Sequence, residues 1–363
     1  MELIYEFLAQ AVHADASDVH LKVGQPPIYR LEGDLTKADA PPISLEDLTN
    51  FVNDILSPQL KDIYLRNNEV DFAWNFAGAA RFRVNLFSSG NEPTLALRYV
   101  KNRIQTFNDL NLPKILGDIA MYQRGIVLIG GTTGSGKSTT MASMIEHINS
   151  NEFRRIITIE DPIEYIFQDE RSIISQREVG FDTGSFKLGF KNALRQDPDI
   201  IMVGEIRDPD SVSTAMSAAE TGHLILSTVH VDTAAQAVTR ILDMFPAEER
   251  MQWRLALANT LKAVICQRLV PDIYGKSRPA IEMMINTPIV KKLIMDENLE
   301  RLNTAIETGG EDGMQTFNQS LFKLAKENHI TQETALMSAS NPEALKMNFK
   351  GIFLDSSKRI VGR

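Results

Sequence analysis

Residues 125–139 read Gly125-Ile-Val-Leu-Ile-Gly-Gly-Thr-Thr-Gly-Ser-Gly-Lys-Ser-Thr139, and this stretch decides the fold. Ile126 to Gly130 is a short apolar run with the length of a buried strand. Gly131 to Ser138 satisfies the spacing GxxxxGK[ST], and the chain after Lys137 reads as a helix. Strand, glycine-rich turn and helix in that order are the context that a phosphate-binding loop requires. Glycines let backbone N–H groups curl around phosphate oxygens, while the helix start offers its positive end to them. Lys137 is then expected to bridge the β- and γ-phosphates of ATP and Ser138 to ligate Mg²⁺. The candidate nucleotide-binding residues are therefore Gly131, Thr133, Gly134, Ser135, Gly136, Lys137, Ser138 and Thr139.

Downstream the pattern repeats as strand, loop and helix, which predicts a parallel α/β sheet. Ligands of such a sheet bind beyond the carboxyl ends of the strands, so the residue after each strand is where chemistry belongs. After Arg155 to Glu160 comes Asp161-Pro-Ile-Glu164; after Asp199 to Gly204 comes Glu205; after His223 to Val229 comes His230. Carboxylates near a Mg²⁺-bound triphosphate hold the metal through water or orient the attacking water. A solvated loop explains Glu160, Asp161 and Glu164 equally well in isolation; the phosphate loop tips the reading toward catalysis. Ile200-Ile-Met-Val-Gly204 has the shape of a Walker B strand, with Glu205 as its acid and a ligand of Mg²⁺ through water. Arg207 and Asp208 also read as a local ion pair and a cap for a helix with Pro209 in its first turn. His230 has an alternative as a plain polar residue at a strand end, and His223, which begins its strand, is more ambiguous. From about Pro246 to the end the apolar positions run at helical spacing, predicting a helical C-terminal region over 246–363.

Before the phosphate loop the sequence predicts an α+β domain over residues 1–100. Leu3, Ile4, Phe7, Leu8, Ala11 and Val12 recur at helical spacing. Extended runs follow at Val19 to Val23, Ile28 to Glu32, Glu69 to Phe76, Ala80 to Phe87 and Pro93 to Val100, with a helix over Leu45 to Leu56 capped by Ser44. Residues 101–113 read as the linker and 114–363 as the second domain. Arg81 and Arg83 lie two apart on a strand, so they share one face while Phe82, Val84 and Leu86 share the other. Arg98 on the neighbouring strand makes a third member. An arginine face is solvated surface unless an anion meets it; one that reaches a γ-phosphate from another domain or subunit raises turnover about 10³- to 10⁵-fold.

A chain of 363 residues with 43% apolar and 23% charged residues suits two globular domains. No segment approaches the roughly 18 apolar residues of a membrane span. Glu2 and Glu6 stand where a secretory signal carries basic residues, and the single cysteine, Cys266, excludes an internal disulfide and a multi-cysteine zinc site; a cytoplasmic location is expected. A net charge of −9 lacks the basic footprint of a nucleic-acid motor, so no nucleic-acid partner is expected.

The ensemble resembles the secretion-superfamily ATPases and, within them, the type IV pilus retraction ATPases of the PilT/PilU type. The resemblance spans nearly the whole chain. It is carried by Ala16-Ser-Asp-Val-His-Leu with Gly24-Gln-Pro-Pro, Arg81-Phe-Arg-Val, the phosphate loop, Ile159-Glu-Asp-Pro-Ile-Glu164, Gln176-Arg-Glu-Val, Asp197-Pro-Asp with Gly204-Glu-Ile-Arg-Asp208, Ala219-Glu-Thr-Gly-His223 to His230, Gln267-Arg-Leu and Gly313-Met-Gln-Thr-Phe. It implies a PAS-like N-terminal domain, a RecA-like P-loop ATPase domain and a homohexameric ring. It also implies Glu164 as catalytic glutamate, Glu205 as the Walker B glutamate, His230 facing the γ-phosphate with His223 supporting it, and Arg81, Arg83 and Arg98 near the nucleotide. The ring would act on an inner-membrane pilus platform protein, peripheral to that membrane, to power retraction and twitching motility. One cysteine and a start close to the PAS-like domain favour retraction over assembly motors, which usually carry a four-cysteine zinc site. Where many retraction motors have Ala-Ile-Arg after Thr-Pro, this chain has Thr287-Pro-Ile-Val-Lys-Lys-Leu293. The alternatives are an accessory ring subunit that depends on a related retraction ATPase, or another motor of the superfamily.

Overall fold

The computed structural model describes residues 2–31, 33–76, 80–100 and 104–352. Outside these lie Glu32, where the second strand was expected to end, residues 101–103 of the expected linker, and residues 353–363 of the expected C-terminal region. The chain divides into two compact units, Met1–Arg103 with Glu164–Ile166, and Ile104–Ile163 with Phe167–Arg363.

The first unit opens with α1 (Glu2–His13), which buries Ile4, Phe7, Leu8 and Ala11 on one stripe. Strands β1 (Asp18–Lys22), β2 (Ile28–Leu31) and β3 (Asp34–Lys37) precede α2 (Leu45–Ile55) and α3 (Pro58–Asn67); β4 (Glu69–Phe76), β5 (Ala80–Ser89) and β6 (Glu92–Val100) complete it. Ser44 caps α2 through Asp47 N–H, and Ser57 with Pro58 opens α3 in the same way. The sheet is antiparallel in the order β3-β2-β1-β6-β5-β4. Alternation puts Val19, Leu21, Phe72, Phe82, Val84, Leu86, Leu95 and Leu97 in a single core, and leaves the polar residues on the opposite face.

The second unit runs α4 (Ile115–Ala120), β7 (Gly125–Gly130), α5 (Lys137–Asn151), β8 (Arg155–Glu160), β9 (Ile173–Glu178), α6 (Phe186–Ala193), β10 (Ile200–Val203), α7 (Pro209–Glu220), β11 (Leu224–Val229), α8 (Ala234–Leu242), α9 (Arg250–Thr260), β12 (Leu261–Pro271) and β13 (Ser277–Ile285). Helices α10 (Pro288–Met295), α11 (Leu302–Thr308), α12 (Phe317–Lys326), α13 (Gln332–Ser338) and α14 (Pro342–Phe349) follow. The sheet order is β13-β12-β7-β11-β10-β8-β9, parallel except that β13 returns antiparallel to β12. Both faces are covered. Ile126, Leu128, Ile157, Ile159, Ile201, Val203 and Ile225 point into one core; Val127, Ile129, Ile156, Ile200, Met202, Leu224 and Leu226 point into the other. Burial on both faces is why these strands read as unbroken apolar runs.

The helical expectation from Pro246 onward is corrected over residues 261–285, which form the β12–β13 hairpin. Ala263, Val264, Ile265 and Cys266 are all fully buried, so this run carries no alternation, and apolar spacing alone cannot separate it from a buried helix. Ile104 to Pro113, expected as linker, packs within the second unit, with Leu112 buried and Phe107 and Leu110 against the same core.

Candidate nucleotide site

The loop between β7 and α5 departs from ordinary backbone where its glycines stand. Gly131, Gly134 and Gly136 have φ of 144°, 79° and 88°, values that only glycine adopts without strain. A Cβ on Gly131 would lie 2.4 Å from Ser135 Oγ and 2.6 Å from the Gln267 carbonyl oxygen, and one on Gly136 would lie 2.5 Å from Gln267 Nε2. A Cβ on Gly134 would meet nothing within 4 Å. Lys137 is buried, and its ammonium donates to the carbonyls of Gly131 and Thr132, each at 2.8 Å. Ser138 is exposed at the first turn of α5, as are Thr132 and Thr133 in the loop; Thr139 is half-buried. A positive helix start, bare glycine backbone and one lysine form an anion cradle at the carboxyl end of β7.

Other strand ends supply acids. Glu205 follows β10 by two residues and is largely buried; its Oε2 lies 2.5 Å from Arg207 Nε and 3.5 Å from His230 Nε2. Thr228 Oγ1 donates to the Gly204 carbonyl at 2.6 Å, locking the end of β10 against β11. Asp208 caps α7 through Ser211 N–H at 2.9 Å. The cap reading of Asp208 therefore holds, while Arg207 forms its local ion pair with Glu205 and not with Asp208. Glu160 is buried at the end of β8, accepting from Thr158 Oγ1 and Gln176 Nε2, which leaves it a structural place. Glu164 is exposed and groups with the first unit.

Arg81, Arg83 and Arg98 share the polar face of the first unit's sheet. Arg83 pairs directly with Arg98 across β5 and β6, and Arg98 with Asp18 across β6 and β1, which in turn faces Arg30 on β2. Asp18 Oδ1 receives Arg98 Nε at 2.8 Å. Burial pushes the Asp18 carboxyl up, but hydrogen bonds from Arg98 and Ser17 and the charge of Arg98 outweigh it and hold it below the usual carboxylate range.

His223 does not join this group within one chain. It precedes β11, and its carbonyl accepts Gly125 N–H at 3.0 Å, so it stands at the amino ends of the strands. Six residues of strand, about 20 Å, separate that level from the phosphate loop. Its ring bonds the Ala218 carbonyl at 2.9 Å. Two residues given no role on sequence grounds take part in the site: Gln267 on β12 and Thr140 on α5 touch the loop from beneath. Gln267 was visible only as part of a motif, and a buried polar residue inside an apolar run was its one signal.

The sequence profile described as "Type II/IV secretion system protein" matches residues 1–337. The chain belongs to this family. Type II/IV secretion system proteins similar to it include the type IV pilus retraction ATPase PilT of Pseudomonas aeruginosa, 38% identical over 94% of this chain and 99% of that protein. The type IV pilus ATPase PilU of the same organism is 40% identical over 95% of this chain and 91% of its own. A crystal structure of the pilus retraction motor PilT with bound ADP superposes with a TM-score of 0.87 at 40% identity, covering 94% of this chain and 98% of that one. The family membership, and the architecture that the PilT structure shares, make the second unit a nucleotide-binding ATPase domain.

Proposed function

We propose that this chain is an ATP-hydrolysing motor that powers type IV pilus retraction as a homohexameric ring. The observation that carries the reading is the glycine cradle with Lys137 at the end of β7 and the His230–Glu205 pair at the ends of the next two strands of the same sheet, β11 and β10. The cradle binds the polyphosphate; Lys137 exchanges its two loop carbonyls for phosphate oxygens. Ser138, exposed on the first turn of α5, and Glu205, a nearly buried carboxylate, fit a hard cation that prefers oxygen, and Mg²⁺ there would neutralise charge developing on the phosphates. Glu164 orients or deprotonates the attacking water, and Arg81, Arg83 and Arg98 stabilise transition-state charge from the first domain, residues 1–100. ATP turnover then moves the two domains against one another. The ring works in the cytoplasm against an inner-membrane platform protein; among the described residues no helix is long and apolar enough to cross a membrane.

Steady-state ATP hydrolysis by the purified full chain over a range of protein concentrations, with and without Mg²⁺ and with Lys137→Ala as control, tests this. Activity that rises with assembly, needs Mg²⁺ and disappears in the variant is expected. The similarity to PilU favours a second reading, an accessory ring that needs a related ATPase; an assembled ring that binds ATP yet turns over only when a PilT-type partner is added would establish it.

A further inference from the structure

Beneath the phosphate loop one side chain makes contacts that an ordinary core residue does not need. Gln267 is 4% exposed on a strand otherwise apolar over Ala263 to Cys266. Burying a primary amide is costly unless its donors and acceptor are paired. Here the pairs are specific: Oε1 accepts from Thr140 Oγ1 at 2.7 Å, and Nε2 donates to the backbone carbonyl of Ser135 at 2.7 Å. Thr140 belongs to the first turn of α5 and Ser135 to the loop, so one amide spans the two parts of the cradle.

The strand beneath is set by register. β12 runs parallel to β7 with Cys266 level with Gly130, which brings the Gln267 carbonyl against Gly131 and its amide against Gly136. These are the two glycines whose missing Cβ atoms make room for it. The loop's backbone is therefore shaped around Gln267 at both ends.

We infer that Gln267 is the positioning residue of the phosphate cradle: its amide holds the Ser135 peptide and the first turn of α5 in the arrangement that points loop N–H groups at the phosphates. It touches no reacting atom. Turning the Ser135 carbonyl toward β12 turns the following peptide N–H, that of Gly136, to the opposite side of the chain. This inference rests on the nucleotide reading of the loop. Because the cradle holds phosphates in ground state and transition state alike, losing its brace weakens binding of both equally, and KM rises while kcat changes little.

The experiment measures ADP affinity by calorimetry, ATP KM and kcat, and the thermal midpoint without nucleotide. It compares wild type, Gln267→Met, Thr140→Val, their double variant and Thr260→Val, a buried hydroxyl that bonds the Ala256 carbonyl instead. Gln267→Met keeps the length and removes both hydrogen bonds, and ADP affinity is expected to fall about tenfold, KM to rise by a similar factor and kcat to stay within about threefold. Thr140→Val breaks one end of the bridge and should weaken ADP by about threefold, with the double variant no weaker than Gln267→Met alone. Thr260→Val should lower the midpoint and leave affinity untouched. Unchanged affinity and KM in a folded Gln267→Met protein, or strictly multiplicative losses in the double variant, would overturn the bridge. Should Gln267→Met fail to fold, unchanged affinity in Thr140→Val overturns it as well. A wild-type chain that binds no ADP would instead bring down the nucleotide reading, and this inference with it.

Discussion

His230 Nε2 and Glu205 Oε2 stand 3.5 Å apart across the ends of two neighbouring parallel strands. The approach follows from register: Val203 is level with Ser227, so Glu205 lies level with Val229 and His230 one residue beyond. The Thr228 hydroxyl on the Gly204 carbonyl keeps the strand ends from separating. Half of the His230 side chain is exposed while Glu205 is 13% exposed, so the acid is held from within the fold and the histidine offers its ring outward. That division suits an acid organising a metal shell and a histidine meeting what arrives.

Glu205→Gln keeps the shape and removes the charge that Arg207 and His230 face. Turnover is expected to drop roughly 10²- to 10³-fold, the range of a lost charge-stabilising or proton-transfer group. ADP affinity should stay within a few-fold, because the cradle is intact. His230→Ala should lower turnover without moving the thermal midpoint, given its exposure. Retention of full activity in Glu205→Gln, read by phosphate release, would remove it from the machinery.

Arg83 and Arg98 face one another with like charge, an arrangement that is unfavourable unless an anion intervenes. Asp18 supplies one for Arg98. Arg98→Ala is therefore expected to cost the folded first domain up to about 1 kcal/mol, the scale of a solvent-screened pair, seen in urea unfolding. Arg83→Ala, with an exposed side chain and a like charge removed from opposite Arg98, should leave stability unchanged or slightly raised, and act mainly on turnover. The Asp18 carboxyl is held below its usual range, so its share of stability is complete above about pH 4 and is lost as the pH falls through the depressed value. Asp18→Asn should accordingly flatten the acid limb of the unfolding profile, and an unaltered limb would show that the pair contributes nothing.

Local chemistry makes most of this legible in the sequence. The phosphate loop is a run in which each glycine has a backbone reason, and Ser44, Asp208 and Pro209 mark helix starts by hydrogen bonding confined to one turn. The alternation of Arg81, Phe82, Arg83 and Val84 fixed both faces of β5. Non-local facts stayed hidden. The β12–β13 hairpin is buried on both faces, so its apolar run has no period to betray it. His223 enters the site only through the family resemblance, as a support for His230, but a strand's length separates the two. Gln267 acquires meaning only when register places it under Gly131 and Gly136, residues more than a hundred positions away.

Glu282 is a second buried group that sequence alone leaves silent. On β13, opposite Cys266, its carboxylate accepts the backbone N–H of Ala234, at 2.8 Å, and that of Phe317. It thus serves the first residues of both α8, which leaves the His230 loop, and α12. Burial pushes its pKa up, and the two N–H groups and the charge of Arg268 only partly offset this. The Cys266 thiol opposite is likewise raised, mostly by burial and then by Glu282 itself. A carboxyl whose folded pKa exceeds its unfolded value of about 4.5 keeps its proton longer in the native state, so stability falls as the pH rises through that interval. Glu282→Gln removes the titration. Wild type should therefore gain thermal midpoint on the variant as the pH is lowered from about 8 toward about 4.5, the direction that a raised carboxyl pKa dictates. Parallel midpoint curves for the two proteins across that range would mean that the two helix starts hold Glu282 ionised at no cost, and that burial is fully compensated.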